Sequence, residues 1–246
     1  MTTRESFDVP EAAATVPGRR DIDAAAQRIA PWIRRTPVMA VDATDVGLDH
    51  DVPVWLKLEL TQQSGSFKVR GALNRMLSAD VPAAGVIAAS GGNFGLAVAH
   101  AALRLGHPAE VFVPESSSAV KVARLRGYGA SVNVGGAFYA EALEAAEQRA
   151  QQTGALWMHA FDQPAMVAGN GTVARELAGQ VELDTVLVAV GGGGLLGGVG
   201  AWYAGDVRVV GVETELTASL TAALAAGSPV DAPVGGLAAD ALGARR

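Results

Sequence analysis

VIAASGGNFGLAVAHAALRL (residues 86–105) sets a short apolar run, a small polar turn and a long helical pattern end to end. Val86 to Ala89 is too short for a helix and reads as a buried strand, and Asn93 to Leu105 reads as the helix that returns over it. The same unit recurs on both sides. Glu110 to Val113 is the next strand, with a basic helix around Lys121 to Arg126 that stops at Gly127. Ser131 to Val134 precedes a long helix from Phe138 to Thr153, and Leu156 to His159 precedes another beginning near Gly169. Thr185 to Val190 is a continuous apolar strand followed by four glycines and a helix, and Arg208 to Val212 closes the series. Upstream, Asp21 to Ala30 is a short helix stopped by Pro31, and Val54 to Glu59 alternates like a half-buried strand. A turn at Gln63 to Ser66 leads into a helix from about Phe67 to Leu77. Strands alternating with helices predict an α/β fold, with parallel sheets flanked by helices on both faces. Ligands of such folds sit in the turns beyond the carboxyl ends of the strands.

The composition narrows the function. Half of the 246 residues are apolar, enough to bury the core of one large domain or two modest ones. A net charge of −6 lacks the basic stripe that neutralises phosphates, so no nucleic-acid partner is expected. Cysteine is absent, which excludes disulfides and thiolate catalysis. His50, His100, His107 and His159 are scattered, so no metal cluster is expected. No apolar run is long enough to span a bilayer, so no membrane partner is expected either. The first twenty residues carry Arg4, Glu5, Asp8 and Glu11 without a continuous apolar stretch, unlike a secretory leader. The reading is a soluble cytoplasmic protein with a frayed N-terminus.

Three turns could carry chemistry. In Ser64-Gly-Ser-Phe-Lys-Val-Arg-Gly71 a lysine opens a helix, where the positive end of the helix dipole disfavours the ammonium form. A lowered pKa is what an imine-forming amine needs; an ordinary surface lysine in a polar turn has the same spacing. Ser90-Gly-Gly-Asn-Phe-Gly95 joins a buried strand to a helix, where successive N–H groups can hold a carboxylate or phosphate. It also fits a plain strand-to-helix turn capped by Ser or Asn. In Val190-Gly-Gly-Gly-Gly-Leu-Leu-Gly-Gly198 four glycines let the main chain wrap a phosphate, at an entropic cost a mere turn does not require. It lacks the lysine of a nucleotide P-loop. Gly192 to Gly197 also satisfies a dinucleotide fingerprint, with Glu213 as a nominal ribose acid.

Taken together, these turns resemble the serine/threonine dehydratase family, within the tryptophan-synthase-β-like (fold type II) pyridoxal-phosphate enzymes. The lysine block, the Ser-x-Gly-Asn turn and the tetraglycine loop occur in the family's order. Arg35-Thr-Pro37, His159-Ala-Phe-Asp-Gln-Pro164, Gly169-Asn-Gly-Thr172 and Val210-Gly-Val-Glu213 are similar to its supporting segments. The resemblance implies pyridoxal 5'-phosphate as cofactor and a small hydroxy amino acid as substrate. Lys68 would form the Schiff base and shuttle the α-proton, and Phe67 would stack on the pyridine ring. Asn93 would bond the ring's phenolic oxygen, and Gly191, Gly192, Gly193 and Gly194 would cradle the phosphate. Gly236, in Val234-Gly-Gly-Leu-Ala238, would close the opposite ring face. Ser64, Ser90, Gly91, Gly92 and Asn93 would hold the substrate. The expected reaction is elimination of water and ammonia from L-serine or L-threonine, giving a 2-oxo acid. Serine racemase, hydroxyaspartate dehydratase, or a truncated cofactor-binding chain without turnover are the alternatives.

The sequence departs from the family in four places. Phe94 stands where many relatives carry His or a small residue. Gly91 stands where racemases place a second serine, and Ser219 where metal-dependent relatives place a carboxylate. The sequence stops at Arg246, before the family's last strands and the segment expected to pair with the pyridine nitrogen. The resemblance implies two domains: residues 1–78 and 178–246 in a larger cofactor domain, and residues 79–177 in a smaller one carrying the Asn turn. The cofactor would lie in the cleft between them, and the assembly is expected to be a homodimer.

Overall fold

The computed structural model describes residues 16–50 and 52–244, so the expected frayed N-terminus lies outside the described residues. Strands β3 (Val86–Ala89), β4 (Ala109–Val113), β5 (Ser131–Val134) and β6 (Leu156–Trp157) form one parallel sheet in the order β5-β4-β3-β6. Helices α3 (Asn93–Leu105), α4 (Ala119–Gly127) and α5 (Tyr139–Thr153) are the crossovers. The period-2 geometry of a strand sends alternate side chains to opposite faces. Val86, Ala88, Val111 and Val113 accordingly join the core built with α3 and with α2 (Lys68–Leu77). Ile87 and Ala89 instead join Ala146 and Ala150 of α5. Helices therefore cover both faces, as the alternation predicts. The α5 face is lined by Ala142, Ala146 and Ala150, whose small side chains let the helix lie close to β3 and β4.

A second parallel pair joins β7 (Thr185–Ala189) to β8 (Arg208–Val212), connected by α7 (Gly194–Tyr203). The sheets are not all parallel: β1 (Val38–Val41) pairs with β2 (Val54–Lys57) antiparallel, Val38 opposite Lys57. A single four-residue strand gives no periodicity to read, which is why β1 was not expected. Helix α6 (Pro164–Ala178) starts five residues before the expected Gly169, because Pro164 occupies the first turn, where its missing N–H costs nothing.

Helix α6 packs against α2, α7 and α1 (Arg19–Ile29). Its glycines explain how. A side chain at Gly169 would stand 2.6 Å from the Arg70 carbonyl, and one at Gly171 2.8 Å from the Gly198 carbonyl. The helix backbones therefore touch directly, and α6 fixes the helix that begins at Lys68 relative to the helix that follows the glycine loop. The chain ends in α8 (Ser219–Ala226) and α9 (Ala239–Leu242). Among the described residues no helix is long and apolar enough to cross a membrane, and no group of His, Cys, Asp and Glu is placed to hold a metal ion.

Candidate active site

Lys68 is the first residue of α2. Its amine is largely buried, and its Nζ reaches only the Ala160 carbonyl, at 3.3 Å. Burial lowers its pKa to about 8. Position at the helix start was the expected reason for a lowered pKa; exclusion from water is the cause the structure gives. The Phe67 ring lies beside it, 5.1 Å from Nζ to the ring centre. Just upstream, Ser64 sits in the left-handed region at φ 61°, a conformation that costs a non-glycine residue about 1–3 kcal/mol. The hydroxyls of Ser64 and Ser66 are buried without a partner among the described residues. A strained backbone with orphaned hydroxyls next to a buried amine fits a bound small molecule that satisfies them.

The segment after β6 links this amine to the glycine loop. Ala160 holds Lys68, and the next residue, Phe161, packs on the loop. A Cβ at Gly192 would fall within the Phe161 ring, and one at Gly194 would stand 2.8 Å from the Phe161 Cβ. His159 completes the segment. Its Nδ1 accepts the N–H groups of Phe161 and Asp162, at 3.4 and 3.0 Å. Burial first, and the neighbouring Lys68 charge second, push its pKa down, with Asp162 opposing. The sequence singled out this segment as a family-like motif but assigned it no role; nothing in its composition shows that it touches both lysine and loop.

Gly191 follows Val190 at the end of β7, and Gly194 opens α7. The first intrahelical bond here runs from the Gly197 N–H to the Gly193 carbonyl, so the N–H groups before it have no helical acceptor. Gly193 has φ 80°, and a side chain there would meet nothing within 4 Å. Gly192 and Gly193 are thus glycine for different reasons, close packing in one case and backbone conformation in the other. Gly193→Ala is expected to cost about 1 kcal/mol of stability by strain while keeping the fold. Gly192→Ala is expected to cost more, because the Phe161 ring must leave its place. Denaturant melts of both variants check this, and equal costs would contradict the packing.

The turn at Ser90, Gly91, Gly92 and Asn93 lies beyond the carboxyl end of β3. The Ser90 Oγ accepts the Gly92 N–H at 3.2 Å, and Asn93, exposed, is the first residue of α3. Phe94 is buried in the main core, so it faces away from the turn's open side. Helix α9 ties this turn to the glycine loop. A Cβ at Gly92 would be 3.7 Å from the Asp240 carbonyl, and one at Gly191 3.2 Å from the Leu242 carbonyl. The Asp240 carboxylate also pairs with Lys121 of α4. Lys68, the glycine loop and the Asn turn are therefore joined by short contacts. Gly236, at φ 71°, packs on Leu216 instead. Glu213 caps α8 by accepting the N–H groups of Leu220 and Thr221, at 2.8 and 2.9 Å, and Ser219 donates to the Gly191 carbonyl at 3.2 Å. Glu213 is thus engaged as a helix cap.

An α/β chain thus sets a buried, pKa-lowered lysine next to a segment that packs on a glycine-rich helix start. The chain belongs to the family of pyridoxal-phosphate dependent enzymes, whose pattern it matches over residues 29–246. It is 38% identical over 231 residues to an L-threonine ammonia-lyase of Geobacter sulfurreducens, an alignment covering 92% of this chain and 57% of that protein. The structure of maize serine racemase superposes with a TM-score of 0.86 at 33% identity, over 92% of this chain and 70% of that one. The serine racemase of Dictyostelium discoideum gives 0.81 at 32% identity, over 91% and 77%. The chain spans about half the length of the curated relatives it matches.

Proposed function

We propose that this chain eliminates water and ammonia from L-threonine or L-serine, giving a 2-oxo acid, as a pyridoxal-phosphate-dependent ammonia-lyase. The observation that carries the reading is Lys68: a buried amine, with a pKa of about 8 and no ionic partner among the described residues, held between Phe67 and the Ala160 carbonyl. Pyridoxal phosphate, when bound, supplies an electron sink for the charge left as the α-proton departs. In this reading Lys68 would hold the cofactor, and its Nζ would serve as the base for the α-proton. Phe67 and Gly236 would bound the cofactor's ring, Gly236 from beside Leu216, and Asn93 would donate to it. Gly191, Gly192, Gly193 and Gly194 present N–H groups to the phosphate, aided by the positive end of α7. Ser64, Ser90, Gly91, Gly92 and Asn93 receive the amino acid.

The proposed domain division supports a cleft site. The four-stranded sheet lies wholly within residues 79–177, while α6, at the end of that range, packs on α1, α2 and α7. With the smaller domain at residues 79–177, Lys68 and the glycine loop lie on one side and the Asn turn on the other. A cytoplasmic location and a homodimer belong to the same reading. The exposed Met39, Trp55 and Leu56 of the β1–β2 pair support the homodimer.

Racemisation is the second reading, favoured by the superposition on maize serine racemase. It needs a proton donor on each face of the carbanion, and Gly91 carries no side chain. Cofactor-loaded protein supplied with L-threonine is expected to give 2-oxobutanoate and ammonia, and with L-serine pyruvate and little D-serine. Chiral chromatography with an oxo-acid assay checks this. D-serine as the major product would favour the racemase; bound cofactor with neither product would leave a binding chain without turnover.

A further inference from the structure

The space that a side chain at Gly91 would fill is bounded by a residue from another turn. An ideal Cβ on Gly91 would stand 3.2 Å from the Oγ of Ser117 and 3.5 Å from Cγ1 of Val113. Ser117 lies in the turn that follows β4, at the same sheet end as the Asn turn, because β3 and β4 are adjacent and parallel. That turn is held by the Ser117 N–H bonded to the Pro114 carbonyl and the Glu115 N–H bonded to the Gly136 carbonyl, at 3.0 and 2.9 Å. Its neighbour Ser118 caps α4 by accepting the Lys121 N–H. Ser117 itself is half-buried, and its hydroxyl has no side-chain partner among the described residues.

We propose that Ser117 is a substrate-contacting residue, whose hydroxyl donates to the α-carboxylate of an amino acid seated on the turn at residues 90–93. This inference rests on the functional reading above. The reasoning is one of supply. The Ser90 Oγ already accepts the Gly92 N–H, Gly91 offers no hydroxyl, and the Lys121 ammonium is paired with Asp240. Ser117 is an uncommitted hydroxyl that stands directly beside Gly91. The arrangement also explains how glycine is tolerated at position 91: the hydroxyl arrives from the β4 turn. It follows that Gly91 and Ser117 are exchangeable hosts for one hydroxyl, and that a serine at 91 crowds the Ser117 Oγ, which must turn aside or be removed.

The test uses the full chain loaded with pyridoxal phosphate and titrated with glycine, which binds as an amino acid but has no β-hydroxyl to eliminate. Calorimetry and the change in cofactor absorbance read the dissociation constant without turnover. Ser117→Ala is expected to weaken glycine binding about tenfold or more, as a lost hydrogen bond to a charged group does. Ser117→Thr is expected to stay within about threefold of the parent, and cofactor affinity is expected to be unchanged in both. The double variant Gly91→Ser/Ser117→Ala is expected to recover most of the loss. If the parent chain binds glycine and Ser117→Ala binds it equally well, the assignment of Ser117 is wrong while the functional reading stands. A double variant no better than Ser117→Ala also overturns the assignment. If the loaded parent chain binds no glycine, the functional reading fails and takes this inference with it.

Discussion

On the proposed function, Lys68→Ala is expected to lower 2-oxo acid formation by at least about 10³-fold, because it would remove both the proposed attachment point of the cofactor and the proposed base for the α-proton. Borohydride treatment of the loaded parent chain, followed by peptide mapping, is expected to find the cofactor on Lys68; a label on Lys57 or Lys121 would refute the assignment. The lowered pKa makes a further pH prediction. At pH 7 an amine with a pKa of about 8 is roughly one-tenth neutral, against about three parts in ten thousand for an ordinary lysine at 10.5. The rate of cofactor attachment to the apo chain should therefore rise with pH and level off above about 8. The same burial costs stability. The folded amine titrates near 8 and the unfolded one near 10.5. Between those values the unfolded chain binds more protons, and stability rises with pH. Below about 8 the full penalty applies, on the order of 3 kcal/mol. Lys68→Met should accordingly stabilise the apo chain at pH 7, with the gain vanishing above pH 10.5. A variant no more stable than the parent at pH 7 would show that the amine is better hydrated than its surroundings indicate.

The elements that carry the chemistry were legible because each is local. The run from Val86 to Leu105 contains a strand, a turn and a helix in one stretch, and the structure places β3 and α3 at those residues. The glycine loop likewise announces a tight helix start. Less legible was anything that depends on residues meeting across the fold. The contact of Phe161 with Gly192 and Gly194 joins positions some thirty residues apart, and no periodicity encodes it. The approach of Ser117 to Gly91 and the bridge made by α9 are of the same kind. The antiparallel pairing of β1 with β2 was hidden because two four-residue strands give too little alternation to fix a partner. The cause of the Lys68 pKa shift was also out of reach. A helix start is visible in sequence, whereas burial depends on where residues 159–161 come to lie.

The other large effect concerns the ions beneath Lys68. Arg70, two residues into the same helix, is fully buried. It donates to both oxygens of Glu59, at 2.8 Å each, and to Glu176 at 3.1 Å. Glu176 on α6 also accepts the Lys57 ammonium of β2 at 2.5 Å and the Thr36 N–H at 2.8 Å. The cluster thus clamps the first turn of α2 to β2 and α6. Two cations and two carboxylates balance, and that balance is what burial requires. Arg70→Met strips Glu59 of both guanidinium bonds and Glu176 of one, and is expected to cost about 3–5 kcal/mol in denaturant unfolding. Glu176→Gln is expected to cost less. It leaves Lys57 buried without its carboxylate, but burial already lowers the Lys57 pKa, and without Glu176 to raise it the amine can shed its proton instead. Arginine has no such escape. Acid separates the two variants further. The bonds from Lys57 and Arg70 outweigh burial and hold the Glu176 pKa below the usual carboxylate value. Its contribution is therefore complete above that value and lost as the pH falls through the folded one. Glu176→Gln should remove that part of the acid sensitivity. An Arg70→Met chain within about 1 kcal/mol of the parent would mean that the clamp is not what fixes the helix carrying Lys68.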